Sequence, residues 1–237
     1  MNSLQNKVAL ITGGTKGIGY GIAHALLNQG INVAVTSRNL SSAQKAADAL
    51  NSNSKAGAKA IGVEADVRDY ESQKQAVQTV LKHFKQLDIV IANAGLGHFA
   101  SIEDLTVEQW QETIDTNLTG AFYTIKSSVD ALKESKGYFI TISSLAGTNF
   151  FANGSAYNAS KFGVTGFTQA VMLDLRKHDI KVSTIMPGSV ATHTPNDSDA
   201  WKIQSEDIGE LVVDLIKMNP RTLPSKIEVR PTMPPSK

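Results

Sequence analysis

The feature that most constrains this chain is a regular alternation of short apolar runs with longer segments of helical period. The runs fall at 8–11, 33–36, 60–63, 89–92, 138–142 and 182–186. They are near-continuously apolar, as strands buried on both faces of a parallel sheet are. Between them, at 17–28, 41–51, 70–84, 107–133 and 155–177, apolar residues return every three or four positions, the spacing of helices with one face on a core. A parallel pair needs a crossover between its strands, so the pattern predicts an α/β fold: a doubly wound parallel sheet with helices on both faces. The run at 227–229 supplies a seventh strand, and a further helix starts near Ser205. The polar stretch 51–59 reads as a solvated loop.

At 237 residues, 41% of them apolar, one domain spanning 1–237 is expected. With 23 basic and 22 acidic side chains there is no long-range field to attract nucleic acid or an anionic membrane, so the expected partner is a small molecule. Cysteine is absent, which excludes disulfides and thiolate nucleophiles; the five histidines lack ligand-like spacing, and no metal site is expected. The first thirteen residues contain only one short apolar run, too brief for a signal-peptide core or a membrane span, and a cytoplasmic location is expected. Segments 195–199 and 231–237 read as loops, the first of them bordering a site.

The first strand runs directly into Thr12-Gly13-Gly14-Thr15-Lys16-Gly17-Ile18-Gly19, after which helical spacing begins. A glycine-rich strand-to-helix turn brings backbone N–H groups and the helix dipole to a pyrophosphate. The alternative is a tight turn that needs positive φ; the position after the first strand favours a dinucleotide. At the end of the second strand, where a carboxylate would accept a ribose 2′-hydroxyl, stand Thr36, Ser37 and Arg38. An Arg there pairs with a 2′-phosphate, and Lys16 adds a second cation, so the reading is NADP(H). The alternative for both cations is ordinary surface charge.

After the fifth strand come Ser143 and Ser144, and Tyr157-Asn158-Ala159-Ser160-Lys161 opens a helix. Residues 157 and 161 are one turn apart, so phenol and ammonium share a face. A neighbouring cation favours phenolate, bringing the phenol pKa down from about 10 toward neutrality and suiting it to acid–base work. Ser143, at the strand's carboxyl end, is expected to bind a carbonyl oxygen and stabilise the developing oxyanion. Tyr-x-x-x-Lys alone also describes a buried tyrosine beside a surface lysine.

In order, the turn at 12–19, Asp66-Val67, Asn93-Ala94-Gly95, Asn117, Ser143, Tyr157, Lys161 and Pro187-Gly188 resemble the compact short-chain dehydrogenase/reductase family through nearly the whole chain. The resemblance implies a Rossmann-type sheet and a set of roles. Gly13, Thr15, Lys16, Gly17, Ile18 and Gly19, with Ser37 and Arg38, would hold the dinucleotide; Asp66 would take the adenine edge with Val67 packed on it; Asn93, Ala94 and Gly95 would lie under the nicotinamide ribose. Asn117 would break a long helix and hold a water in a proton relay from Lys161, which would also bind the ribose hydroxyls. Pro187, Gly188, Val190 and Thr192 would hold the carboxamide end. The implied reaction is reduction of a small-molecule ketone by NADPH, with Tyr157 as proton donor, in a homodimer or homotetramer built through the segments 107–133 and 155–177, whose Phe162, Phe167, Val171 and Leu175 lie on more than one side.

Members of this family that reduce 3-oxoacyl groups on acyl carrier protein commonly end in a glycine-rich strand turn, whereas this chain closes on Leu223-Pro224-Ser225-Lys226-Ile227-Glu228-Val229-Arg230-Pro231, which weakens that assignment. The short segment between Gly188 and the next helix implies an open pocket for varied or bulky ketones. A non-catalytic NADPH sensor is the rival from another class, and it need not keep Ser, Tyr and Lys together. A sugar-nucleotide epimerase would need a separate substrate domain.

Overall fold

The computed structural model describes residues 4–54, 56–192 and 199–234. Strand β1 (Val8–Ile11) passes through the glycine turn into helix α1 (Gly17–Asn28). Then follow β2 (Asn32–Ser37), α2 (Leu40–Asn53), β3 (Ala60–Glu64), α3 (Tyr70–Phe84) and β4 (Ile89–Ala92). The starts of α2 and α3 are set by side chains that satisfy free helical N–H groups: Asn39 accepts from Ser42, and Asp69 from Glu71 and Ser72. The loop expected at 51–59 begins later than its composition suggests, because α2 continues to Asn53. The Asn51 side chain there exchanges two hydrogen bonds with the backbone of Ala60, joining helix end to strand start.

The long helical pattern at 107–133 is three elements rather than one. Helix α4 (Val107–Ile114), opened by a Thr106/Gln109 capping box, gives way to a π-helical turn at Asp115–Thr119 and continues as α5 (Gly120–Ser135). Strand β5 (Tyr138–Ile142), helix α6 (Ser155–Leu175) and β6 (Lys181–Pro187) follow. A two-residue pair, β7 (Val190–Ala191) with β8 (Ile203–Gln204), precedes α7 (Ser205–Lys217) and β9 (Lys226–Val229).

Seven strands form one parallel sheet in the order β3-β2-β1-β4-β5-β6-β9. The order reverses between β1 and β4, the topological switch at which such sheets open a crevice beyond their carboxyl ends. Two apolar clusters, one on each face, hold the helices down. Ile11, Ile22, Leu26, Ile140 and Ile208 belong to the first; Leu10, Val80, Leu132, Phe139 and Val182 belong to the second. Phe167, Val171 and Leu175 pack against the second cluster, whereas Phe162 is 43% exposed. Among the described residues no helix is long and apolar enough to cross a membrane.

Candidate active site

A cavity of about 770 Å³ lies at the carboxyl ends of the central strands. It is lined by Gly13, Thr15, Lys16, Gly17 and Ile18 from the turn after β1, by Ser37 and Arg38 after β2, and by Asp66 and Val67 after β3. Asn93, Ala94 and Gly95 line it after β4, and Ser143, Tyr157, Lys161 and Thr192 are the other predicted residues on its wall. The size suits a dinucleotide with a small substrate.

The turn owes its shape to glycine where the backbone demands it. Gly17 has φ +54°, the left-handed region, and at Gly19 a Cβ would stand 2.5 Å from the Asn93 carboxamide nitrogen. That carboxamide donates to the Thr12 and Gly13 carbonyls, while the Thr12 hydroxyl accepts from the Asn93 and Ala94 N–H groups, so β4 and the glycine turn are locked together. Gly19 therefore serves packing beneath the turn and does not face the cavity. Among the described residues no side chain caps α1, and its first turn has no acid, which leaves its N-terminal dipole unopposed.

At the β2 end, Arg38 is exposed and makes no hydrogen bond or ion pair among the described residues, although it lies close enough to Asp66 and Glu112 to help lower their pKa values. The Thr36 hydroxyl, beside it on the cavity wall, is buried and has no hydrogen-bond partner there. Asp66 is less free than its sequence context suggests. Arg68 grips both of its carboxylate oxygens, with 2.7 Å from Nη2 to Oδ2, and holds the carboxyl below its ordinary range. Arg68 also lines the cavity, and sequence reading passed over it.

At the other end the geometry corrects one assignment. Ser143 borders the cavity, but its hydroxyl is turned into α6, 3.2 Å from the Lys161 carbonyl and 3.0 Å from the Thr165 hydroxyl, and the residue is buried. The hydroxyl that bonds the Tyr157 phenol belongs to Ser144. Ser144 also caps the short 3₁₀ turn Leu145–Gly147 by accepting from Ala146 N–H, which fixes its position.

The protonation states also differ from expectation. Burial raises the Tyr157 pKa above its ordinary value, only partly offset by the Ser144 hydrogen bond. Burial lowers Lys161 to about 8. Its Nζ donates to the Ile142 carbonyl at 3.0 Å and lies 5.6 Å from the centre of the Tyr157 ring. In this low-dielectric corner desolvation outweighs any help the lysine gives to a phenolate.

Asn117 sits in the π-helical turn, buried. Its carboxamide exchanges two hydrogen bonds with the Leu96 backbone and donates to the Ser160 hydroxyl. Asn117 does not line the cavity, though Gly95 lies against both its side chain and Lys161 Nζ. Pro187 closes β6, Gly188 donates to Val229 at the sheet edge, and Val190 belongs to β7; none of the three lines the cavity. The loop predicted to border the site at 195–199 lies outside the described residues up to 198.

Comparison with known proteins agrees with this architecture. The short chain dehydrogenase family matches residues 7–203. The chain belongs to the short-chain dehydrogenase family. A trans-4-hydroxycyclohexanecarboxylate dehydrogenase from Sinomonas cyclohexanicum is 39% identical over 189 residues, covering 78% of this chain and 73% of that protein. An alcohol dehydrogenase from the archaeon Thermococcus sibiricus, solved as a complex with 5-hydroxy-NADP, superposes with a TM-score of 0.89 at 27% identity, covering 98% of this chain and 99% of that one. A 3-ketoacyl-ACP reductase from Sinorhizobium meliloti 1021 gives a TM-score of 0.85 at 33% identity, covering 94% and 97%. As a short-chain dehydrogenase the chain is an oxidoreductase of the NAD(P)-using kind, built on the fold these relatives share.

Proposed function

We propose that this chain interconverts a ketone and a secondary alcohol with NADP(H), running toward reduction in cells, with Tyr157 as proton donor. The observation that carries the reading is the juxtaposition of the Tyr157 phenol with the Ser144 hydroxyl and buried Lys161, at one end of a cavity whose other end holds Arg38, unpaired among the described residues.

The residues fit the dinucleotide. The uncapped N-terminus of α1 suits a pyrophosphate, and Arg38, the orphaned Thr36 hydroxyl and Ser37 suit a 2′-phosphate at a strand end without a carboxylate. Thr15, Lys16, Gly17 and Ile18 would hold the phosphates, Asp66 and Val67 the adenine, Asn93 to Gly95 and Lys161 the nicotinamide ribose, and Thr192 the carboxamide. The complex of the Thermococcus sibiricus neighbour with 5-hydroxy-NADP supports the same preference. When bound, the nicotinamide supplies the hydride.

The protein's own contribution is proton delivery and charge stabilisation. A phenol whose pKa is raised keeps its proton at neutral pH, as a donor to a developing alkoxide must. Ser144 would orient the carbonyl oxygen and donate to it as negative charge grows there. Lys161, near 8, exchanges its proton close to neutrality and places positive charge behind the Tyr157 ring when protonated. Asn117 holds the segment that follows Gly95 in place, which makes it a positioning residue for the relay.

A second reading, reduction of an acyl-carrier-bound 3-ketoacyl group, is favoured by the Sinorhizobium neighbour. We also propose a cytoplasmic homo-oligomer formed through the outer faces of α5 and α6, where Phe122, Phe162 and Leu173 are exposed. The reaction is tested by following loss of NADPH, and separately NADH, on addition of aryl ketones, cyclic ketones, β-ketoesters and an acetoacetyl thioester. NADPH oxidation with free ketones supports the first reading and turnover of the thioester alone supports the second. Silence with NADPH still bound supports a sensor.

A further inference from the structure

Two aromatic rings stand in solvent beside the catalytic phenol, and folding alone gives no reason for it. Phe99, on the loop after β4, is 60% exposed; Phe151, on the loop after β5, is 48% exposed. The Phe99 ring centre lies 5.3 Å from that of Tyr157 and 6.0 Å from that of Phe151, so the three rings form one contiguous surface. Phe99 and Tyr157 both line the cavity. Leaving such apolar area in water is unfavourable, and a patch of this kind at the mouth of a site marks a surface that a ligand covers.

Both loops are pinned by a buried asparagine. The Asn117 carboxamide takes the Leu96 N–H at 2.9 Å and returns a donor to the Leu96 carbonyl at 2.8 Å, fixing the chain just before Phe99. Asn158, next to Tyr157, donates to the carbonyls of Ala146 and Asn149 and accepts from the Phe151 N–H at 3.3 Å, fixing the other loop. Gly97 makes the stack possible: a Cβ there would stand 2.8 Å from Phe99 and 2.9 Å from Tyr157. The rings are thus held in place before any ligand arrives, which lowers the entropic cost of binding.

The charge around them is equally informative. The cavity's Lys16, Arg38, Asp66 and Arg68 come from the glycine turn and the ends of β2 and β3, and the fifth charged residue on its wall, Lys161, is buried beside the Tyr157 ring with its Nζ on the Ile142 carbonyl. The segments that carry the rings, 96–101 and 148–154, contain no Lys, Arg, Asp or Glu, and the one histidine there, His98, is bound to Glu112 at 2.9 Å.

We infer that Phe99 and Phe151 form a substrate shelf that selects an uncharged, apolar ring, alicyclic or aryl, attached at or next to the reacting carbonyl. The inference rests on the carbonyl-reductase reading and adds a specificity determinant to it. Neither ring touches the transferred atoms; each positions the substrate over Tyr157.

The test compares wild type, Phe99→Ala, Phe99→Leu and Phe151→Ala with cyclohexanone and acetophenone as ring ketones and 2-butanone as the open-chain control. The apolar area covered on a ring face and the ring–ring contact are together worth about ten- to a hundredfold in kcat/KM, so Phe99→Ala should lose up to that much on the ring ketones and only about threefold on 2-butanone. Phe99→Leu should recover part of the loss, Phe151→Ala should lose about tenfold on the ring ketones, and the NADPH dissociation constant should hold throughout. Equal losses on ring and open-chain ketones, or no loss on either, overturn the shelf. Should the wild type turn over no ketone, calorimetry with acetophenone and the NADP-loaded protein decides: binding that Phe99→Ala abolishes upholds the shelf while the reaction reading falls, and absence of binding to wild type overturns the shelf as well.

Discussion

Replacing Lys161 by Met offers a direct physical reading of the buried corner of the site. Burial holds the lysine near pH 8 against an ordinary value of 10.5. Below about pH 8 the folded chain must therefore keep an ammonium out of water, at a cost of about 3 kcal/mol, since one pKa unit corresponds to about 1.4 kcal/mol. As pH rises through the folded value, the native state releases this proton while the unfolded chain still holds it, up to about 10.5. The unfolded state then binds more protons, and stability climbs with pH. Met removes the charge and the donor to Ile142, so the carbonyl loses a partner, but that loss is the same at every pH. Urea unfolding of the cofactor-free protein, wild type against Lys161→Met, should show the wild type gaining about 2 kcal/mol relative to the variant between about pH 7 and about pH 9.5. Parallel stability curves would refute the reasoning, because they would mean that this ammonium is as well solvated in the folded chain as in the unfolded one.

Three further substitutions separate roles that the geometry has assigned. Ser144→Ala should lower kcat about a hundredfold and, by losing the cap of the 3₁₀ turn, cost about 0.5–1 kcal/mol of stability, whereas Ser143→Ala, which deletes buried bonds to Lys161 and Thr165, should cost about 1–2 kcal/mol and change kcat only a few-fold; steady-state kinetics and thermal unfolding of the pair check both. Arg38→Ala should weaken NADPH binding about ten- to a hundredfold while leaving NADH nearly unchanged, because the lost partner is a 2′-phosphate. Fluorescence titration with the two cofactors measures this, and equal weakening would point to a general surface effect.

Much of the scaffold is legible in the sequence because apolar runs and helical spacing are local signals. The first strand, α1 and α3 fall on their predicted boundaries, and the seven-stranded sheet follows from the count of runs. Apolar spacing hides the π-helical turn within 107–133, although the family resemblance places a helix break at Asn117 inside it. A wider turn shifts the helical phase only slightly, and the apolar spacing carries through it. The choice between Ser143 and Ser144 was hidden for a different reason. Adjacent residues leaving a strand point to opposite sides, but β5 is buried at every position, so no alternation of polar and apolar residues marked the open side. The grip of Arg68 on Asp66 and the direction of the Tyr157 pKa depend on distances and burial that only the folded chain defines. A loop position alone says little about Phe99 or Phe151; the fold sets Phe99 against Tyr157 and Phe151 against Phe99.

The proposed reaction turns on Tyr157 delivering the proton in an NADPH-dependent carbonyl reduction. Its most direct test is the rate of NADPH oxidation by wild type and Tyr157→Phe on the same ketone, with the NADPH dissociation constant measured in parallel. The wild type should turn over and the variant should lose at least about a thousandfold, with cofactor affinity held within a few-fold. Turnover that survives the loss of this one hydroxyl would contradict it.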